Sequence, residues 1–371
     1  MKIIQLTGGK VRGGKEKFAQ YIAAAFAAGD YDVETITKGE EAIDIPMRGA
    51  GLRVARMPLG GDFDFLTPVM LAGKIRKDVS RCILLVAYTL REAAAAVKAR
   101  TLVGDADRQI KIILIAAHPG DTTGSPRARR IYEAVDAHIF LSESGSESFR
   151  KAWPSVDKTR IHTVTPGIPL FSSLSDNSEA PAASLKKDNQ PTILLYLGRI
   201  AEGKGLETLV RTLGRLGDLD LKLRIAGVGR GPYVAALKGE VWRNGVVEKV
   251  EWLSQLDDVK VQEEIRRADI GVVTAENPDT FGLALLELMS ARKAVIATAT
   301  GVHREVITTG EDGILVPGGD SSALAEAMRE LVTRPEKAQR LGEAAAARVE
   351  KRHTHGAMMR EIIKISTALF A

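Results

Sequence analysis

The chain has 371 residues, 45% of them hydrophobic and 27% charged, with 35 glycines, one cysteine and a net charge of +5. That length exceeds what one core usually holds and predicts two domains, and the composition is that of a globular α/β protein, which excludes disordered, collagen-like and disulfide-stapled chains. No apolar run approaches the roughly 18 residues of a membrane span, and the apolar part of MKIIQLTGG is too short for a signal peptide, so a cytoplasmic protein is expected.

The charge is uneven. Residues 1–172 hold 25 Lys and Arg against 19 Asp and Glu, a net +6, which leaves −1 for the rest. A basic excess confined to one half favours an acidic partner there, such as an anionic lipid surface or a phosphorylated acceptor. Cys82 opens the apolar run CILLVAY and reads as an inert core thiol in a reducing compartment.

Residues 2–6 read as a buried strand, followed by the glycine loop TGGKVRGGKEK and a helix from about 16 to 28 with apolar residues at helical spacing. Strand, glycine loop and helix open a nucleotide-binding βα unit. Gly9, Gly14 and Lys15 have the spacing of a Walker A loop, but Glu16 stands where a Ser or Thr should hold magnesium, which argues against a kinase or ATPase. DVETIT at 32–37 reads as a second strand, and the stretch to about residue 80 as irregular. Asp62 with Asp64, Asp105 with Asp107 and Asp218 with Asp220 form D-x-D pairs; three copies at unrelated places read as solvated loop carboxylates rather than a cation site.

CILLVAY and KIILIAAH, without alternation and separated by the helix EAAAAVKARTLV, read as strands of a parallel sheet covered on both faces. His118 falls where the second of them runs out, the end at which open α/β sheets place ligands. Two short strands follow, and residues 172–190 lose all periodicity and read as a linker. A second α/β unit begins with TILLYLG at 192–198. Its loop RIAEGKG carries Arg199 and Lys204 to the start of a helix, where free N–H groups, the positive dipole end and two cations form an anion site fit for a diphosphate. LKLRIAG ends in GVGRGP, whose Gly227, Gly229 and Gly231 would admit a ligand against the backbone but lack the spacing of a dinucleotide fingerprint. In DTFGLALLELMSA, a turn at Gly282 introduces an apolar helix that carries Glu287 toward the interior, eight positions after Asp279. Two helices over about 320–352 and a last one from about 355 to 369 close the chain.

LGRIAEGKG, GVGRG, DTFGLALLELMSARKAVIAT and GEDGILVPGGD stand in the order seen in nucleotide-sugar-dependent glycosyltransferases of the GT-B fold, and the chain resembles family 4 among them, best over residues 192–335. The resemblance implies two Rossmann-like domains with parallel sheets facing across a cleft: an acceptor-binding domain at 1–172, a nucleotide-sugar-binding domain at 173–352, and a helix at 353–371 returning to the first. It implies that Arg199 and Lys204 neutralise the donor diphosphate, that Glu287 holds the ribose, and that Gly282 and Leu283 present backbone N–H groups to phosphate. Asp279 faces the transferred sugar beside Phe281, at a position usually held by Glu. Gly14 faces the donor phosphates from the first domain, and His118 is that domain's active-site histidine. Gly229 and Leu253, the latter as a base-pocket residue, complete the expected donor site.

The reaction that the resemblance implies is a metal-independent retaining transfer, with no cofactor, of a sugar to a glycan or glycolipid acceptor in cell-surface polysaccharide or lipopolysaccharide biosynthesis. The enzyme would work in the cytoplasm, peripherally on the inner membrane face, with no nucleic-acid partner. Two other readings share the fold: a sugar-nucleotide epimerase, for which no further acid/base carboxylates stand out, and a non-catalytic nucleotide-sugar-binding subunit.

Overall fold

The computed structural model describes residues 1–9, 13–60, 64–104, 108–115, 125–171, 190–229, 231–277 and 282–371. These form two compact units, Met1–Pro166 with His355–Ala371, and Gly167–Thr354.

The first unit is built on β1 (Lys2–Thr7), β2 (Asp32–Thr37), β3 (Arg53–Arg56), β4 (Cys82–Ala87), β5 (Gln109–Ile115), β6 (Ala137–Phe140) and β7 (Ile161–Thr163). They form one sheet in the order β3-β2-β1-β4-β5-β6-β7, every pair parallel. Its helices are α1 (Gly14–Ala28), α2 (Glu41–Gly49), α3 (Leu66–Lys77), α4 (Leu90–Val103), α5 (Pro126–Ala134) and α6 (Glu143–Ala152).

The second unit repeats the plan with β8 (Thr192–Leu197), β9 (Leu221–Ala226), β10 (Val250–Ser254), β11 (Ile270–Val273), β12 (Ala294–Thr298) and β13 (Ile314–Val316), in the parallel order β10-β9-β8-β11-β12-β13. Its helices are α7 (Leu206–Arg215), α8 (Pro232–Arg243), α9 (Asp258–Arg267), α10 (Leu283–Ser290), α11 (His303–Val306), α12 (Ser321–Thr333) and α13 (Pro335–Arg352). The last helix, α14 (His355–Ala368), belongs to the first unit and packs on α1, where His355 Nε2 lies 3.1 Å from the Tyr21 carbonyl.

Both sheets are the doubly wound Rossmann-like arrangement expected from the unalternated strands. β1, β11 and β12 are buried at every position, because right-handed crossovers lay helices on both faces. In each sheet the order reverses once, between β1 and β4 and between β8 and β11, and the crevice beyond those strand ends is where such sheets take ligands.

Two expectations change. The stretch read as irregular to residue 80 contains α2, β3 and α3. Pro46 lies inside α2 and β3 is only four residues long, so neither periodicity develops far enough to be seen. The units divide at Pro166/Gly167 and Thr354/His355 rather than at 172/173 and 352/353. Gly167–Phe171 goes with the second unit because the Ile168 N–H donates to the His353 carbonyl (2.9 Å) and the Phe171 N–H to Ser290 Oγ (2.8 Å). The expected linker at 172–189 lies outside the described residues.

His138 sits fully buried on β6 among Tyr132, Phe140 and Phe149, with Nε2 placed 2.9 Å from the Tyr132 carbonyl. Burial, helped by the charges of Arg160 and His162, lowers its pKa from 6.5 to about 4 against the raising effect of that carbonyl. Below pH 6.5 the unfolded chain takes up a proton that the folded ring refuses, so stability falls as pH drops from 6.5 toward 4, by about 3 kcal/mol in all. In denaturant unfolding of wild type and His138→Phe at pH 7 and pH 4.5, the variant is expected to lose less stability on acidification; equal losses would show that His138 does not titrate this way.

Candidate functional site

The helices of this protein begin in several ways, and the N-cap residues of α1, α2, α3, α11 and α13, all at negative φ, make no side-chain cap. α4, α5, α6, α9 and α12 are closed by their own N-cap side chains, from Thr89, Ser125, Ser142, Asp257 and Asp320, each accepting a backbone N–H of the first turn. α7, α8 and α10 instead begin at Gly205, Gly231 and Gly282, all at positive φ (69°, 70° and 60°) and none with a capping side chain. These three helices follow β8, β9 and β11, so their uncapped N–H groups gather at the C-terminal edge of the second sheet, around its switch point.

The loop from Arg199 to Gly205 is fixed against the end of β11 by backbone. Gly203 O accepts the N–H of Glu276 (2.9 Å) and of Asn277 (3.2 Å), and Thr274 Oγ1 donates to the Lys204 carbonyl (3.0 Å). The approach is too close for a side chain: a Cβ on Gly205 would stand 1.9 Å from the Thr274 carbonyl oxygen, and one on Gly203 2.1 Å from Asn277 Nδ2. The loop thereby carries an exposed Arg199 and a half-buried Lys204 to the open start of α7. Among the described residues neither cation is paired with a carboxylate, whereas the buried Lys293 donates to the Arg266 carbonyl and Arg224 is held by Glu251 and Glu264.

α10 enters from the other side of the crevice. A Cβ on Gly282 would lie 2.8 Å from Val302 Cγ1, so the helix start is wedged against the segment after β12, which Thr300 Oγ1 ties to the Ala275 carbonyl (3.0 Å). Leu283, Leu285, Leu286, Leu288 and Met289 are buried, and Glu287 is the half-buried carboxylate of that helix, as its apolar surroundings in sequence imply. Asp279 and Phe281 lie outside the described residues, as does His118.

A Cβ on Gly227 would be 1.7 Å from the Gly198 carbonyl oxygen and one on Gly229 2.6 Å from Ile200, so both glycines let the continuation of β8 pass close by. Leu253 is half-buried near the end of β10, beside Ser254, a non-glycine residue at φ 58° whose carbonyl accepts the Gly227 N–H (2.8 Å).

Residues that the sequence reading missed also line this edge. Glu276 is exposed, and its carboxylate accepts from Thr208 Oγ1 on the first turn of α7 (2.7 Å). Burial, with the Glu207, Glu202 and Glu276 carboxylates nearby, holds the Tyr233 phenol well above its ordinary pKa, so it stays protonated. Only the proximity of Glu276 to Asp279 in the chain hinted at this group.

At the corresponding edge of the first unit the described residues form an internal ion pair. The buried Glu92 carboxylate accepts the N–H of Gly8 (2.7 Å) and of Tyr88 (2.8 Å) and pairs with Lys15 Nζ (3.0 Å). Burial opposes charge on Lys15, but Glu92 and Glu16 outweigh it and raise its pKa. Lys15 is therefore held charged in an ion pair with Glu92. Glu16 reaches back to the Gly13 N–H (3.0 Å) at the start of α1, where Gly14 is exposed. Of the D-x-D residues, Asp64 accepts the N–H groups of Gly60, Leu66 and Thr67, and Asp218 binds Arg329, which lowers its pKa to about 2. Asp62, Asp105 and Asp107 lie outside the described residues.

Residues 177–348 match the family model described as glycosyl transferases group 1. The chain is 31% identical over 175 residues to a phosphatidyl-myo-inositol mannosyltransferase of Mycobacterium leprae, an alignment covering 46% of this chain and 45% of that one. It is 26% identical to a D-inositol 3-phosphate glycosyltransferase of Xylanimonas cellulosilytica, over 92% of this chain and 88% of the other. Its fold superposes with a TM-score of 0.82 on a protein of Anabaena solved in complex with UDP and glucose, at 17% identity, over 99% of this chain and 100% of that one. The chain has the GT-B fold, and its second unit carries the group 1 glycosyltransferase segment, as the resemblance in sequence implied.

The backbone lock on the Arg199–Gly205 loop has a measurable cost of disruption. Gly205→Ala should lower stability in urea unfolding by about 3 kcal/mol, combining a positive φ with a backbone collision. Gly73→Ala, in the interior of α3 with open space around it, should raise stability by about 0.5–1 kcal/mol. Equal effects would show that the loop is not held by close approach.

Proposed function

We propose that the protein is a retaining glycosyltransferase that moves a sugar from a nucleoside-diphosphate sugar to a glycan or glycolipid acceptor of the cell surface, such as lipopolysaccharide. The single observation that carries the reading is the uncapped start of α7 with Arg199 and Lys204 in the loop before it, a place for an anion at the switch point of the second sheet. The named relatives support it: one is a mannosyltransferase whose name gives a phosphatidylinositol acceptor, and the Anabaena protein was solved with UDP and glucose.

In this mechanism the anomeric C–O bond to the diphosphate breaks heterolytically, and the acceptor hydroxyl oxygen bonds to the same face of the anomeric carbon. The hydroxyl proton passes to the departing diphosphate oxygen. Arg199, Lys204 and the α7 N–H groups meet charge that grows as the diphosphate leaves, so they favour the transition state over the ground state. The reaction needs no metal and no cofactor, because those donors take over the neutralisation a cation would supply.

Gly282 and Leu283 offer N–H groups to phosphate and Glu287 accepts from the ribose hydroxyls. Leu253 lies against the base. Asp279, beside Phe281, faces the transferred sugar with one methylene less than Glu, which shortens its reach to a sugar hydroxyl. Gly14 and His118 serve from the first unit. The enzyme acts in the cytoplasm at the inner membrane face, and among the described residues no helix is long and apolar enough to cross a membrane.

Incubation with nucleotide sugars tests the reading: acceptor-dependent release of free nucleotide is expected, and interconversion of sugars without release would contradict it. Lys204→Ala should lower turnover by about 10²-fold or more, the loss of one charge-stabilising donor, and near-normal turnover would remove Lys204 from the site.

A further inference from the structure

The outer face of α3 and α4 combines exposed apolar side chains with exposed basic ones, and neither helix exposes an acid of its own. Phe65, Leu66 and Val69 are 70%, 57% and 57% exposed, and Met70 is also exposed. The spacing of 65 to 69 and of 66 to 69 and 70 puts them on one side of α3, as i, i+3 and i+4 positions of a helix do. Single exposed apolar residues are ordinary, but a group of four large ones at the start of one helix marks an interaction surface.

The exposed charges that α3 and α4 themselves carry have one sign, and Asp64, beside Phe65, accepts the Gly60, Leu66 and Thr67 N–H groups. α3 contains no Asp or Glu and ends in Lys74, Arg76 and Lys77. α4, which packs against α3, contains only Glu92, and that carboxylate is buried with Lys15. Lys98 of α4 is exposed and stands over the Phe65 ring, 5.2 Å from its centroid, one turn before the exposed Leu102. Lys74 is tied to Glu34 at 2.8 Å, while Lys77 and Lys98 stand in solvent.

We propose that this α3–α4 face seats the protein on an anionic lipid bilayer, with Phe65, Leu66, Val69 and Met70 entering the headgroup boundary and Lys77 and Lys98 meeting lipid phosphates. Apolar insertion and cationic attraction reinforce one another on such a surface, and two helices whose own exposed charges are all basic suit a negative plane. The inference deepens the reading of a membrane-borne acceptor and rests on it.

The test is co-sedimentation of the full chain with vesicles of phosphatidylcholine alone or mixed with phosphatidylglycerol. The protein is expected to pellet with the mixed vesicles and not with the neutral ones. Phe65→Ser, Leu66→Ser and Val69→Ser combined should weaken that binding by about 10-fold or more, and Lys77→Glu with Lys98→Glu should weaken it as well. Val259→Ser, an equally exposed apolar residue of the second unit, should leave it unchanged. The substituted side chains are exposed, and unchanged circular dichroism would confirm the fold.

No binding to mixed vesicles, or equal binding by the triple variant, would overturn the proposal. So would a dimer of the wild type that the triple variant loses, since the face would then join two copies of the chain. Release of UDP from UDP-glucose and other UDP-sugars, assayed without vesicles, separates the two ideas: its absence counts against glycosyl transfer and leaves the vesicle result standing.

Discussion

The second unit depends on one constraint: the loop from Arg199 to Gly205 must lie flat against the end of β11. Two glycines at positive φ make this possible, and the carbonyl of Gly203 and the hydroxyl of Thr274 hold it there. Because the loop is fixed by backbone, no side chain needs to turn inward to cap α7, and the N–H groups of that helix stay available. A Ser or Asp at position 205 could not cap the helix as Thr89 and Asp257 do elsewhere, because its Cβ would meet the Thr274 carbonyl oxygen. Leaving the helix end open costs stability locally, as sites built to receive a ligand commonly do.

The two units show the alternatives side by side. Both place a switch point beside their first strand, and both bring a helix start and a lysine to it. In the first, Glu92 takes the Gly8 and Tyr88 N–H groups and pairs with Lys15. In the second, Glu276 is drawn aside by Thr208, and Arg199 and Lys204 have no carboxylate partner among the described residues. Among the described residues the two edges therefore differ in where one glutamate is held.

Much of this was legible in the chain. Strands without alternation announced parallel sheets, and the turn at Gly282 before an apolar helix was read correctly because a left-handed glycine and a buried helical face both leave marks in sequence. The stretch from 38 to 80 was not legible. α2 carries an interior proline, β3 is short, and the exposed Phe65, Leu66, Val69 and Met70 blur the apolar period of α3. The same residues that hid the helix carry the proposed membrane face. Contacts between distant residues were also beyond reach: nothing local joins Thr208 to Glu276, and the left-handed Ser254 looks ordinary until its backbone is seen. The close approach of the chain after β8 to Gly227 and Gly229 is likewise visible only once the sheet register is known.

The most direct measurement is a crystal structure with a bound nucleoside diphosphate. The diphosphate is expected at the N-terminus of α7, in contact with Arg199 and Lys204, with the ribose hydroxyls on Glu287. A diphosphate bound instead at the start of α1, with Lys15 released from Glu92, would contradict the assignment of the site to the second unit.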